Sequence, residues 1–497
     1  MDKESLEDHL RRATRNFTTR FPEERAVGLA AELARELVRA HAETPPRHPD
    51  LDPAAVTVAD GHPRLDGSAS RHDVAEDLFH LGGLLYFMVT GERPDVAWRL
   101  DGPPAGALST LARQAALAAL SAPRAAERFA SAAEAASALE AAVTPGPAGT
   151  SPWPMFRGDS SRRGARAATS AARSLAPAWE ARVGAVTASP VLSPTLAIVP
   201  TADGRLVFVD RASGRRVHEM RLASAIESSP ALVERVLHVG SDEGEMVGVD
   251  VVDGAERYRT KLGRLVRSSP VPWQDRVVVG VVEEKTTGGV AALDGATGKL
   301  VWMRKAGAVF SSPALAGATV LVGSDDGSVY ALDAGKGAVL WAERLGGKVR
   351  ATPAVTEEVA IAADFDGRVV ALRVKDGTRA WTAELGHAVY SSPCVAGELC
   401  VLGCHEGHIH GLDARTGTPR FQAQTRGPVI ASAAAAGDRL LISSTDGTLY
   451  LLDAEGRVLH QVLLSGQGVQ SSLALGEDGG TVVVGSGAGL HGLRLMP

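Results

Sequence analysis

Residues 311–345 read SSPALAGATVLVGSDDGSVYALDAGKGAVLWAERL, four short apolar runs separated by turn signals. The first run follows Ser312-Pro313, the second is TVLVG (319–323), the third is SVYALD (328–333), and the fourth holds Trp341. Asp326-Gly327 stands between the second and third runs, where glycine supplies the positive φ that a tight hairpin needs. Four strands joined by short turns form one antiparallel unit, with strands A to D in chain order.

The unit recurs. Ser-Pro occurs at Pro190, Pro230, Pro270, Pro313 and Pro393, and Thr352-Pro353 keeps the same register. Ser432-Ala433 and Ser472-Leu473 continue it, which makes eight copies. A strand-like unit repeated roughly every 40 residues is a propeller blade. The ends of the repeat region are complementary. APAWEARV (176–183) reads as a D strand without A, B and C, and LHGLRL (490–495) reads as a C strand without D. Pairing them completes an eighth blade and removes a free sheet edge. The D strands share one slot, filled by Trp179, His218, Tyr258, Trp302, Trp341, Trp381, Phe421 and His460. Large rings at such a slot are expected to pack between blades.

The 497 residues carry 52 Lys and Arg against 58 Asp and Glu, a net charge of −6. That balance argues against a nucleic-acid binder, which shows a basic excess. The apolar fraction of 45% supports sizeable cores. No apolar run is long enough for a membrane-spanning helix. The polar start, MDKESLEDHLRRATRNF, lacks a signal-peptide core. Cys394, Cys400 and Cys404 are odd in number and crowded together, so a cytoplasmic, reducing setting is expected.

Composition divides the chain in two. Residues 1–145 are rich in Ala, Leu, Arg and Glu and read as an all-α domain. Residues 146–174, rich in Pro, Gly, Ser and Arg, read as a linker, and 175–497 as an all-β eight-bladed propeller.

The repeat resembles the pyrroloquinoline-quinone (PQQ)-type propeller repeat, in which a strand ending A-L-D is followed by a T-G turn and a Trp. Leu293-Asp294, Thr297-Gly298 and Trp302 carry the resemblance, and Trp153-Pro154-Met155-Phe156-Arg157-Gly158 looks like the segment that often precedes such propellers. Quinone-dependent dehydrogenases of that type imply an adjacent Cys pair and calcium-binding carboxylates. This chain has no Cys-Cys. A lipoprotein of outer-membrane β-barrel assembly shares the repeat without the quinone.

The first half resembles a degenerate C-terminal lobe of a bacterial Ser/Thr protein kinase. SLEDHLRR (5–12) and AVGLAAELARELVRAHAE (26–43) look like its first two helices. HPDLDPAAV (48–56) stands at the catalytic loop, with Asp50 in the catalytic slot and Ala55 where a metal-binding Asn belongs. RLDG (64–67) puts Asp66 in the D-F-G slot. EDLFHLGGLLYFMVTGERP (76–94) matches the next helix, with Asp77 in its buried Asp slot, and residues 121–140 resemble the last helices. The Gly-rich loop, the strand Lys and the helix Glu needed for phosphoryl transfer are absent. The resemblance therefore implies a pseudokinase remnant.

Three further patterns stand out in the sequence. Gly487-x-Gly489-x-x-Gly492 lacks the following helix of a dinucleotide site and falls in a B–C hairpin. CVLGCHEGHIH (400–410) gathers Cys400, Cys404, His405, His408 and His410, which are metal-type ligands. Cys400 and His410, however, stand at ordinary strand positions, so no metal is expected. The position before each Ser-Pro slot varies freely: Thr187, Glu227, Arg267, Phe310, Arg350, Tyr390, Ile430 and Gln470. With strand A innermost, these residues ring the channel mouth on the face of the D–A and B–C connections. The long hairpin VVEEKTTGG (281–289) lies on the same face. Arg267, Phe310, Arg350 and Tyr390, with Glu227, have the composition of a binding hot spot.

The reading is a cytoplasmic, non-catalytic binding or scaffold protein without a cofactor. Its partner is expected to be a protein or peptide, or a small anionic ligand, with neither nucleic acid nor membrane insertion involved. The alternatives are a quinone-dependent dehydrogenase, a residual kinase, or an envelope assembly factor.

Overall fold

The computed structural model describes residues 4–5, 23–42, 51, 56–59, 62–65, 74–90, 120, 129–143, 153–166, 172–251, 254–466, 468–477 and 479–497. The chain forms two compact units, one of residues 1–149 and one of 150–251 with 255–497.

In the first unit, helix α1 (Glu23–His41) buries Val27, Ala30, Leu33, Ala34 and Leu37, an i, i+3, i+4 stripe. Helix α2 (Val74–Thr90) meets it with Leu78, Leu81, Leu85 and Met88, and α3 (Ala132–Val143) with Ala135 and Leu139. Ser131 Oγ accepts the Glu134 N–H at 3.2 Å and caps α3. The wholly buried Asp77 carboxylate lies 2.8 Å from His41 Nε2, joining α1 to α2.

The unit is not all-α. Strands β1 (Glu4–Ser5), β2 (Val56–Ala59) and β3 (His62–Leu65) form an antiparallel sheet. The register Ala59↔His62 leaves two residues between β2 and β3, and they are Asp60-Gly61, a strong hairpin pair. Asp50, Ala55 and Asp66 lie outside the described residues.

The second unit carries eight blades among its described residues: 191–221, 231–261, 271–307, 314–344, 354–384, 394–424, 434–463, and 474–496 completed by 174–181. Strands run A-B-C-D in each blade, and the A strands of successive blades touch around one axis, blade 8 meeting blade 1. The expected closure is present. The strand Ser174–Ala181 pairs antiparallel with Leu490–Met496, with Trp179 opposite Gly492.

The Ser-Pro period has a structural cause. The N–H of Ser189 donates to Ser229 Oγ, Ser229 to Ser269, Ser269 to Ser312, Ser312 to Thr352, Thr352 to Ser392, Ser392 to Ser432 and Ser432 to Ser472, at 2.8–3.1 Å. Ser471 Oγ closes the circle by donating to Ala188 O at 2.9 Å. The D-strand rings also pack as expected. Trp179, Trp302, Trp341 and Trp381 each donate their indole N–H to a carbonyl of the next blade at 2.8–3.1 Å. In the T-G turn of blade 3, Asp294 Oδ1 accepts both the N–H and the hydroxyl of Thr297.

The linker expected over 146–174 is corrected over its described residues. Residues 153–166 form a strap inside the propeller. The innermost strands leave backbone N–H groups facing the channel, and the strap takes them in turn. Leu192 N–H donates to Trp153 O, Leu232 to Pro154, Leu315 to Ser160, Val355 to Ser161, Val395 to Arg163 and Ala435 to Gly164, at 2.6–2.9 Å. Blade 3 is reached by Arg162, which donates to Ser269 O and Pro270 O. Arg157 donates to the carbonyls of Arg162, Arg163, Ser392, Pro393 and Ala433. Both guanidinium groups are buried, which lowers their pKa values, Arg162 to about 9. The strap ends meet where the Arg166 guanidinium lies 5.6 Å from the Trp153 ring centre. The amide contacts lie on strand A itself, whereas the two guanidinium groups reach carbonyls that precede it, at Ser269, Pro270, Ser392 and Pro393.

Candidate functional site

The variable ring lies on the side of the D–A connections, two residues before the Ser-Pro serines that the strap arginines reach in blades 3 and 6. The ring residues precede strand A, and Arg267, Arg350 and Tyr390 meet the B–C turn of the preceding blade. The offset is 25 residues for both Arg267 on Asp242 and Arg350 on Asp325.

Arg267 is held from two sides. Its Nε and Nη2 donate to Asp242 Oδ1 and Oδ2 at 3.1 and 2.6 Å, and Nη1 lies 3.0 Å from Glu227 Oε2. Partial burial pushes the Glu227 carboxyl above its usual range, against the pull of Arg267. Arg350 makes the same fork to Asp325, at 2.8 and 2.7 Å, and Lys348 Nζ lies 3.5 Å from that carboxylate. The guanidinium of Arg350 stacks 4.2 Å from the Phe310 centroid and 5.4 Å from Phe365. Phe365 lies 4.2 Å from Tyr390, and Tyr390 lies 5.6 Å from His405. The result is a row of planar groups across blades 4 to 6, with Tyr390 37% exposed.

The structure thus brings Phe310, Arg350 and Tyr390 together and sets Arg267 with Glu227 at a separate pole. Each of the two arginines already has a bidentate carboxylate partner, Asp242 for Arg267 and Asp325 for Arg350. Asp242, Asp325 and Phe365 were missed. Their signal was available: the matching B–C turn position reads Ala202, Asp242, Asp325, Phe365, His405 and Thr445 and varies as the ring does.

The Cys and His cluster does not converge. Cys394, Cys400 and Cys404 are free thiols buried among the blades, and burial raises the pKa values of Cys394 and Cys400. His405 and His408 face the mouth side, with His408 5.4 Å from His387. Burial lowers His410 to about 4. Among the described residues no three His, Cys, Asp or Glu side chains are placed to hold a metal. The Gly487–Gly492 motif lies in the hairpin joining Thr481–Gly485 to Leu490–Met496.

Solved structures share the propeller. BamB from Moraxella catarrhalis is 18% identical with a TM-score of 0.57, covering 65% of this chain and 100% of that one. A europium-containing methanol dehydrogenase is 14% identical with a TM-score of 0.59, covering 68% and 90%. The quinohemoprotein alcohol dehydrogenase from Comamonas testosteroni is 13% identical with a TM-score of 0.61, covering 70% and 81%. At these identities the likeness is one of fold, and it does not separate enzyme from non-enzyme. No curated protein sequence matches the chain. The family model described as "Outer membrane protein assembly factor BamB" matches residues 202–308, 286–433 and 392–495. Those matches span more than half of the chain and follow the blade repeat, and the chain belongs to this family of PQQ-type propellers.

Proposed function

We propose that the protein is a non-catalytic binding protein whose propeller recognises a protein partner at the mouth framed by the D–A and B–C connections. The half-exposed row Phe310–Arg350–Phe365–Tyr390 carries this reading. Aromatic and Arg side chains held in place by their neighbours lose little freedom on binding and dominate interface energetics. The dehydrogenase alternative finds less support, since the three cysteines are non-adjacent and packed into the blades.

The family description names an assembly factor for outer membrane proteins, and that work is itself protein binding. A second reading, with outer membrane proteins or their assembly apparatus as partners, rests on that match. Fractionating cells that express the tagged full chain separates the two: recovery in the cytoplasm favours a cytoplasmic scaffold, and recovery in the envelope favours the assembly role. The N-terminal unit is proposed as the kinase-like remnant, a second docking surface. Its support is that α1 and α2 fall on the matching segments and that Asp77 is buried against His41.

Affinity capture from native lysate tests the mouth. The pair Phe310→Ala with Tyr390→Ala should lose the captured protein. The pair Lys299→Ala with Arg415→Ala, in C–D turns at the opposite end, should keep it. The reverse pattern would move recognition to the other face.

A further inference from the structure

We infer that the mouth binds an extended peptide segment of mixed charge, its acidic side chain seated at blades 4 and 5 and its basic side chain at blades 1 to 3. This rests on the reading of the mouth as a protein-binding face and specifies its ligand.

The two poles are mirror images in charge. At one pole the single cation Arg267 is shared by two carboxylates, Asp242 and Glu227, leaving one negative charge uncompensated among these groups. At the other pole the single carboxylate Asp325 is shared by two cations, Arg350 and Lys348, leaving one positive charge. The outer member of each pole reaches solvent: the Glu227 side chain is 47% exposed and Lys348 54%. The inner members, Asp242 and Asp325, are 14% and 6% exposed and serve as anchors.

Between the poles lies Phe310, whose ring carries Arg350 on one face. A small anion would satisfy only the Lys348 pole. A polyacid would be repelled at Glu227, and a polybase at Lys348. A segment with an acidic residue, a central aromatic or proline and a basic residue meets all three features at once. Aromatic-lined grooves favour extended segments of that kind, because little ordering entropy is lost on docking.

The test uses the full chain on an array of immobilised nonapeptides with a common Phe-Pro-Phe centre. Their flanks carry an acid and a base, two acids, two bases, or neutral residues. The mixed-charge set should be retained best. Lys348→Gln should weaken acid-bearing peptides about two- to fivefold and spare the two-base set, the range expected of one half-exposed charge pair. Glu227→Gln should do the same for base-bearing peptides and spare the two-acid set. Equal or better retention of the two-acid, two-base or neutral set overturns the inference, and so does retention of no set. If retention depends instead on Lys299 and Arg415, the assignment of the face itself fails.

Discussion

Gly337 and Gly317 both hold a positive φ, at +65° and +59°, but their surroundings differ. A Cβ on Gly337 would lie 2.5 Å from the Trp302 ring, whereas nothing approaches within 4 Å at Gly317. Gly317→Ala should therefore cost only the backbone penalty, about 1 kcal/mol. Gly337→Ala adds a clash with an aromatic ring held by its own hydrogen bond, and should cost roughly 2–4 kcal/mol in all. Denaturant midpoints of the two variants check the ordering, and equal loss would mean the ring is not the constraint. A second residue-scale outcome concerns His238, which is buried with Nδ1 2.6 Å from the Tyr258 hydroxyl. Burial lowers its pKa from 6.5 to about 4. The folded state then binds fewer protons than the unfolded chain between these values, so this contribution is complete above pH 6.5 and lost as pH falls toward 4. The full loss approaches roughly 3 kcal/mol for a shift of this size. Melting temperature should fall across that window, and His238→Gln should flatten the slope. His410, lowered in the same way, keeps part of it.

At the scale of elements, the blades were legible and the strap was not. Strand runs, Asp-Gly turns and the aromatic slot are local or periodic signals, and all of them mark the blades. The strap has no period of its own. Its hydrogen bonds to the blades join residues from 39 apart, at Trp153 and Leu192, to 276 apart, at Arg157 and Ala433, which leaves no trace in local composition. Its one clue was Trp153, too large and apolar for a solvated linker and 1% exposed in the fold. The hairpin at 56–65 shows the opposite error, a recognisable Asp-Gly signal overlooked within a helical background. The strap also makes a prediction. Removing residues 1–152 leaves it in place, and the propeller should melt as it does in the full chain. Removing residues 1–170 takes the strap but spares the closing strand, and exposes the A-strand amides to the channel. That propeller should melt distinctly lower. Arg157→Lys should reproduce much of the loss, because an ammonium cannot match a planar fork bonded to five carbonyls. Unchanged melting after removal of 1–170 would show the strap to be passive.

Across the whole propeller, stability depends on one ladder that joins the two ends of the repeat region. Seven blades are each built from consecutive strands, while blade 8 needs residues 174–181 and 474–496 together. The closing strand carries Pro177, which cannot donate to a ladder and is tolerated on an outermost edge. Its Trp179 lies against Gly492 on one side and Gly214 of blade 1 on the other, with its indole N–H on Arg211 O. The strand therefore fastens blade 8 internally and blade 8 to blade 1. Deleting residues 1–182 and deleting residues 489–497 remove opposite partners of the same ladder. In the first, Leu490–Met496 becomes an open apolar edge; in the second, Ser174–Ala181 loses its partner and Leu490 and Leu493 leave the core. Both truncations should aggregate, as unpaired edges do, and both should do so more than the 1–170 deletion, which keeps the ladder whole. Light scattering after size exclusion measures this directly. A monomeric, cooperatively melting protein from either truncation would show that the ring holds without its closing strand.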